Sequence, residues 1–452
     1  MTIVELSPLL ADGQVSSREL VEQALAAIND PAGEGARTFL LVHEEEARAS
    51  ADRVDARRSA GVVLPVLAGI PISLKDLFDE AGIVTLGGST ALVGAAAATR
   101  DSTVVSRLKQ AGAVIVGRTN LTEFAFSGLG VNPHYGTPKN AFDRATGRIP
   151  GGSTSGGAIS VTDGMAAGAI GTDTGGSVRI PAALNGLVGF KPTARRVPRD
   201  GVLPLSPSLD SVGPIAKTVA DCALLDQVLA GDTDAKTGGV RVPAVLRGLR
   251  FAVPVTVFQD DLSAAVATAF RAALDRLSDS GATIVELEMA EFVQAANVNP
   301  RGALASAEAF AVHAAWIERS AGSYDPRVLS RIRRGAAITS DQYNEMLALR
   351  SRFIETIGKA AAGYDAMLMP TTPDTAPSIA ETTRDDESYF RVNGRMLRNT
   401  GIVNLFDGCA LSIPCHEAGT APVGLMIACT RGRDRALLAI GLSVEQVVRR
   451  SG

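Results

Sequence analysis

The sequence predicts an α/β fold: a large mixed central β-sheet flanked by helices. Three observations carry this. Short apolar runs such as AVIVG, DAMLMP and VGLMIA are bounded by turn residues and are too short for helices. They alternate with stretches whose apolar residues recur at helical spacing, the rhythm of β-α-β units. A chain of 452 residues, 46% hydrophobic and 20% charged, can also bury a sizeable core.

Taken in order, Ser16 and Glu19 form a capping box, and the apolar positions from Leu20 to Ile28 predict that the chain opens with an amphipathic helix. A polar helix from about Glu44 to Gly61 follows. VLAGIPISLKD reads as a buried strand, a helix begins near Ser102, and AVIVG at 113–117 is a second buried strand. LRFAVP, ATIVELE, DAMLMP, ALSIP and VGLMIA are further strands, alternating with helical stretches at 262–279, 303–318, 340–360 and 433–448. The Pro-rich segment 198–214 reads as a long ordered loop. No repeat or low-complexity tract divides the chain. Its weakest boundary is 232–247, yet the later strands read as continuations of one core. The expectation is a single domain over 1–452, densest in motifs from about 64 to 215, with a helical insertion at about 290–362.

Composition excludes several function classes. The formal net charge is −4 and the basic residues are dispersed, which argues against nucleic acid and anionic lipid as partners. The start, MTIVELSPLLADGQ, has no basic leader or long apolar run, and no segment reaches the ~20 apolar residues that span a bilayer. The expected location is therefore the cytoplasm, without membrane contact. Cys222, Cys409, Cys415 and Cys429 lack metal-ligand spacing and read as reduced, buried thiols, so no structural metal is expected. His43, His134, His313 and His416 sit in neither a metal motif nor a nucleophile elbow, so histidine is not expected to drive the chemistry.

The stretch from Gly151 to Ser177, GGSTSGGAISVTDGMAAGAIGTDTGGS, is dense in Gly, Ser and Thr. A linker would stay polar and repetitive, whereas this one contains AISV and MAAGAI. A phosphate cradle would carry G-x-x-x-x-G-K-[ST] or open a helix with G-x-G-x-x-G, and neither occurs. The third reading is a catalytic loop pair: Gly175 and Gly176 let backbone N–H groups converge, and Ser177 sits beside them. A serine needs a base, and without histidine the candidate is a lysine held neutral by burial. Lys75, at the end of GIPISL, is that candidate; as a strand-end lysine it is equally open to reaching solvent. Ser106 and Lys109 form S-x-x-K, and Lys236, Thr237 and Gly238 form K-T-G, but no S-D-N accompanies them. Val104, Val105 and Leu108 place Ser106 on the outer side of an amphipathic helix.

GGSTSGGA, followed by GTDTGGSVRIPAALNGLVGFKPT and preceded by PISLKD, resembles the amidase signature family. GRTNLTEFAFSG, NPHYGTPKN, DAMLMPTTPDTAP and PVGLMIA extend the likeness over most of the chain. The resemblance implies that Ser177 is the nucleophile and Lys75 the base. Ser153, 24 residues before Ser177, would be a relay serine preceded by a cis peptide bond. It further implies an oxyanion hole from the amides of Thr174, Gly175, Gly176 and Ser177, braced by Asp173 and Arg179. Thr154 stands beside the relay serine with its role open. No metal or organic cofactor is implied, and the partner is a small-molecule amide, with the chain a monomer or homodimer. KNAF and SIPCHEAG depart from the family pattern near the expected pocket.

The function so implied is hydrolysis of the C–N bond of a small, apolar or aryl amide through an acyl-enzyme, with carbamates, urethanes and esters as related substrates. The alternatives are a glutaminase-type subunit of a tRNA-dependent amidotransferase and a catalytically idle scaffold. FAFSGLGVNPHYG lacks the polar loop expected of the former, and intact Lys75, Ser153 and Ser177 argue against the latter. Phe124, Phe126, Leu129, Val131 and Tyr135 border the acyl site in relatives and point to an apolar acyl group, with core packing as their alternative. No Arg or Lys is clearly placed for a substrate carboxylate, which argues against a dicarboxylic half-amide.

Overall fold

Runs such as DAMLMP and VGLMIA lack the alternation of a half-exposed strand because the sheet they join is covered on both faces. The computed structural model describes residues 1–232 and 243–449. Its strands are β1 Phe39–Val42, β2 Pro71–Lys75, β3 Val114–Thr119, β4 Gly168–Asp173, β5 Val188–Lys191, β6 Ser211–Ala216, β7 Arg250–Pro254, β8 Thr283–Leu287, β9 Ala366–Pro370, β10 Cys409–Pro414 and β11 Gly424–Cys429. They form one 11-stranded sheet in the order β1, β3, β2, β4, β6, β5, β10, β11, β9, β7, β8. The sheet is mixed: β2 runs parallel to β3 and β4, and β7 to β8 and β9, while the middle of the sheet is antiparallel.

Side chains alternate between two apolar layers along each strand. Leu368 of β9 and Leu425 and Ile427 of β11 join one core cluster, while Met367, Met369 and Met426 join another. Each fully buried Leu or Ile contributes about 1.5–3 kcal/mol over its exposed state. Among the described strands the two outermost, β1 and β8, are the least buried.

Helices occupy Ser17–Asn29, Glu44–Ser59, Thr103–Gln110, Ala264–Asp279, Ala303–Ser320, Ser340–Ala360 and Asp434–Val448, close to the predicted spans. The Ser16 capping box is present: its hydroxyl accepts from Glu19 N at 3.1 Å and Glu19 Oε2 accepts from Ser16 N at 2.8 Å. Between β8 and β9 the chain passes through successive helices and 3-10 turns from Ala290 to Ala360.

Several expectations are corrected. The chain opens one helix earlier, at Ile3–Ala11, which its own capping box of Thr2 and Glu5 sustains despite Pro8. The strand expected over VLAGIPISLKD is confined to Pro71–Lys75. The loop expected over 198–214 ends in β6, a central strand containing Pro214. On its β4 side Pro214 is registered against Ile170, while β5 pairs β6 only at Ile215 and Ala216. The helix Val219–Ala230 was hidden because it is buried on nearly every side and has no polar stripe. The helix Asp386–Leu405 was hidden because Gly394, Gly401 and buried Asn393, Asn399 and Asn404 interrupt its apolar pattern. Much of the suggested boundary, and the K-T-G triplet, lie outside the described residues. Ser106 is half-buried on the Thr103–Gln110 helix, beside buried Val105. Among the described residues no helix is long and apolar enough to cross a membrane.

Candidate active site

β2 and β4 run parallel with Leu74 registered against Ile170, so their carboxyl ends open on the same edge, where α/β sheets bind ligands. Lys75 ends β2, and Thr172 and Asp173 end β4. Lys75 does not reach solvent: it is 0% exposed, and its Nζ lies 2.8 Å from both Ser153 Oγ and Thr172 Oγ1. Burial pushes its pKa down to about 7, against the opposing pull of the Asp173 and Asp210 charges. A neutral amine at this position can accept the Ser153 hydroxyl proton on its lone pair while donating to Thr172. Thr172 was absent from the sequence reading; its place two residues before Thr174 carried no signal until β2 and β4 were paired.

The Gly152–Ser153 peptide is cis. Glycine is required before it, because a Cβ on Gly152 would lie 2.4 Å from Gly130 N. Thr154 joins the two serine-bearing loops: its N–H donates to Ser177 O at 3.2 Å. Its side chain fills the space over Gly171, where an added Cβ would stand 2.6 Å from Thr154 Cγ2.

Asp173 organises the loop that follows. Its carboxylate accepts from Gly176 N at 2.9 Å and Val178 N at 3.1 Å, and from Arg179 Nη2 and Nε at 2.9 and 3.1 Å. Burial opposes its ionisation, but Arg179 foremost, with Lys191 and Asn404, holds it well below the usual carboxylate range. This corrects one expected oxyanion donor: the Gly176 amide is committed to Asp173. Among the described residues the amides of Thr174, Gly175 and Ser177 have no protein acceptor. Gly176 adopts φ 133°, and a Cβ there would lie 2.2 Å from Thr400 Oγ1.

The bracing network extends to residues the sequence reading missed. Asn404 Nδ2 donates to Asp173 Oδ1 at 2.9 Å, Arg179 Nη2 to Asn404 Oδ1 at 2.5 Å, and Thr400 Oγ1 to Gly175 O at 2.6 Å. Asn393 Oδ1 accepts from Ser127 Oγ and Gly128 N. Asn393, Thr400 and Asn404 are spaced i, i+7, i+11 on the Asp386–Leu405 helix and share a face. That polar spacing was the available signal.

Above Ser177 opens a cavity of about 750 Å³. Of the five residues expected to line it, only Phe126 does. Phe124 turns into the core, its ring 4.4 Å from that of His313 and 5.2 Å from Tyr324. Leu129 and Val131 pack with Ile180 and Tyr389, and the Tyr135 hydroxyl donates to Ser89 O at 3.3 Å. The left-handed backbone of Phe124 and Ala125, at φ 50° and 60°, is what separates Phe126 from its neighbour. The remaining lining comes from distant segments, including Leu205, Phe292, Phe390 and Leu397. Four arginines join them, Arg301, Arg331, Arg334 and Arg398, which overturns the expectation that no cation is placed for a substrate acid.

Comparison with known proteins gives a consistent result. The sequence profile of the family described as Amidase matches residues 19–438. A 2-amino-5-chloromuconic acid deaminase of Comamonas testosteroni is 36% identical over 405 residues, 89% of this chain and 86% of the relative. A glutamyl-tRNA(Gln) amidotransferase subunit of Roseiflexus castenholzii is 33% identical over 99% of this chain and 96% of its own. A crystal structure of an amidase superposes with TM-score 0.88 at 30% identity, covering 99% of this chain and 100% of that one. With the motifs, the mixed sheet and these relatives in agreement, this chain belongs to the amidase signature family.

Proposed function

We propose that the protein hydrolyses the C–N bond of a small amide with a largely apolar acyl group, through an acyl-enzyme on Ser177. The observation that carries this reading is the buried Lys75 Nζ, 2.8 Å from the Oγ of Ser153, whose next residue in the loop, Thr154, bonds the backbone of the cavity-lining Ser177. Neutral Lys75 takes the Ser153 proton as Ser153 takes that of Ser177, whose Oγ attacks the carbonyl carbon. The oxyanion is met by the amides of Thr174, Gly175 and Ser177; losing one such donor typically costs about 3 kcal/mol of transition-state stabilisation. The proton returns through Ser153 to the leaving nitrogen, the C–N bond breaks, and water releases the acyl group by the same relay. Carbamates and esters present the same carbonyl and belong to the same substrate class. The Comamonas relative, named as a deaminase, is compatible with nitrogen release from a small molecule.

The second reading is a glutaminase-type component of a tRNA-dependent amidotransferase, supported by relatives of that name matching 99% of the chain. Product release by wild type and Ser177→Ala on an aliphatic primary amide, an aryl amide, an anilide, an aryl carbamate and glutamine separates the two. Ammonia or arylamine released from the first four by wild type alone supports the free-standing amidase. Release from glutamine alone supports the amidotransferase component, and release from none sets the free-standing amidase aside.

A further inference from the structure

The Ser177 cavity has a charge pattern that the chain as a whole does not. The protein carries 48 acidic and 44 basic residues, yet the cavity lining holds Arg301, Arg331, Arg334 and Arg398 and no Asp, Glu or Lys. Neighbouring arginines outside the cavity are paired: Arg327 with Asp386 at 2.8 Å, and Arg395 with Asp374 at 3.3 Å. Among the described residues none of the four cavity arginines has a carboxylate within ion-pair distance. Arg331 is the most constrained. It is half-buried, its Cζ stands 4.1 Å over the Phe126 ring, and Nη1 donates to Phe126 O at 2.5 Å. Arg334 is close enough to oppose its charge, and burial lowers its pKa to about 10, which leaves it a cation at neutral pH. A half-buried guanidinium without a counter-ion is unfavourable in the empty protein, and a bound carboxylate supplies that counter-ion with charge-assisted, bidentate geometry.

We infer that the substrate is an amide that also bears a carboxylate, held by Arg331 with Arg334, while its apolar body packs on Phe126, Leu205, Phe292 and Leu397. This rests on the amidase reading and narrows it to acid-bearing amides such as dicarboxylic half-amides. Helical segments far from the signature motifs supply the specificity: Arg331 comes from the helix Pro326–Arg333, and Arg334 directly follows it.

The test compares kcat/KM on a series of half-amides with the same amides as methyl esters of the distal acid. Wild type is expected to prefer the acid by about 30-fold or more, the value of a hydrogen-bonded charge pair. Arg331→Met should remove that preference, losing about 30-fold more on the acid series than on the neutral one, and Arg331→Lys should restore part of it. Equal treatment of both series by wild type, or an equal loss on both in Arg331→Met, overturns the inference. Should Arg331→Met fail to fold, Arg334→Met is read against the same two outcomes. Acylation of Ser177 by an activated neutral ester, followed by mass spectrometry, separates this from the underlying reading. Acylation without acid preference sinks the carboxylate site alone. Absence of acylation sinks the amidase reading; glutarate then still reports on the arginines by raising Tm in wild type but not in Arg331→Met, and no rise in wild type overturns the site.

Discussion

Lys75 Nζ lies 2.8 Å from Ser153 Oγ, is fully buried, and makes no ion pair among the described residues. Because burial brings its pKa down to about 7, the neutral, proton-accepting form gains population as pH rises. Log kcat/KM should climb with unit slope below about pH 7 and level off above it. An optimum near pH 5 would rule out Lys75 as base. Asp210, itself raised to about 6 by burial, is one of the charges holding Lys75 up. Asp210→Asn should therefore move the acid limb to lower pH, and a shift upward would contradict the electrostatic account.

In the proposed relay Ser153 and Ser177 act at different steps, so their truncations should differ in degree. Ser177→Ala removes the bond-forming oxygen and should leave only background release. Ser153→Ala interrupts proton transfer and should lose roughly 10²–10⁴ in kcat, the usual worth of a positioned acid or base. Single-turnover acyl-enzyme formation followed by mass spectrometry checks this; a Ser153→Ala rate equal to wild type removes the relay.

Thr172 gives Lys75 its second hydrogen bond. Thr172→Val keeps the shape and leaves the amine with one partner, which should cost about 1 kcal/mol or more. The expected result is a kcat about tenfold lower, with KM and Tm nearly unchanged. A KM change at constant kcat would mean that Thr172 touches substrate instead.

Asp173 and Arg179 are both 0% exposed and bonded at 2.9 Å, so removing one strands the other. Asp173→Asn or Arg179→Met should destabilise the protein by about 3–5 kcal/mol, seen as a large drop in Tm. The Asp173 carboxylate is held below its usual pKa, so its contribution is present above about pH 4 and fades as pH falls through the folded-state value. Asp173→Asn should accordingly flatten the acid end of the wild-type stability curve.

Gly176→Ala adds a Cβ 2.2 Å from Thr400 Oγ1 at a φ of 133° that L residues avoid. Activity and Tm should both fall, and Thr400→Ala should rescue only the collision and not the backbone conformation. Full recovery in the double variant would show that the steric contact alone requires glycine.

The signature segment was legible in the sequence because its polar groups are contiguous or nearly so. GTDTGGS places carboxylate, amides and hydroxyl within a few residues of one another, and the strand before it ends at Asp173. The apolar runs likewise announced most of the strands, since a strand buried on both faces needs no partner to be recognised. The strands that escaped were β1, which is short and partly exposed, β5, and β6 with its proline.

What surrounds Ser177 was decided elsewhere. A run of aromatic and apolar residues at 124–135 looked like a pocket wall, but the left-handed turn at Phe124 sends most of it into the core. The actual wall is assembled from the helices beyond β8 and from Asp386–Leu405, whose arginines carry no motif and are separated from Ser177 by more than 120 residues of chain. By itself the sequence determined the α/β class, the family and the place of the signature loop, because these depend on local pattern. Only the tertiary structure decided that Lys75 is buried against Thr172, that Asp173 takes the Gly176 amide, and that four arginines line the same cavity as Ser177 without a carboxylate partner among the described residues. Burial, charge and contact are set by which segments meet, and chain order does not encode that meeting in any short stretch.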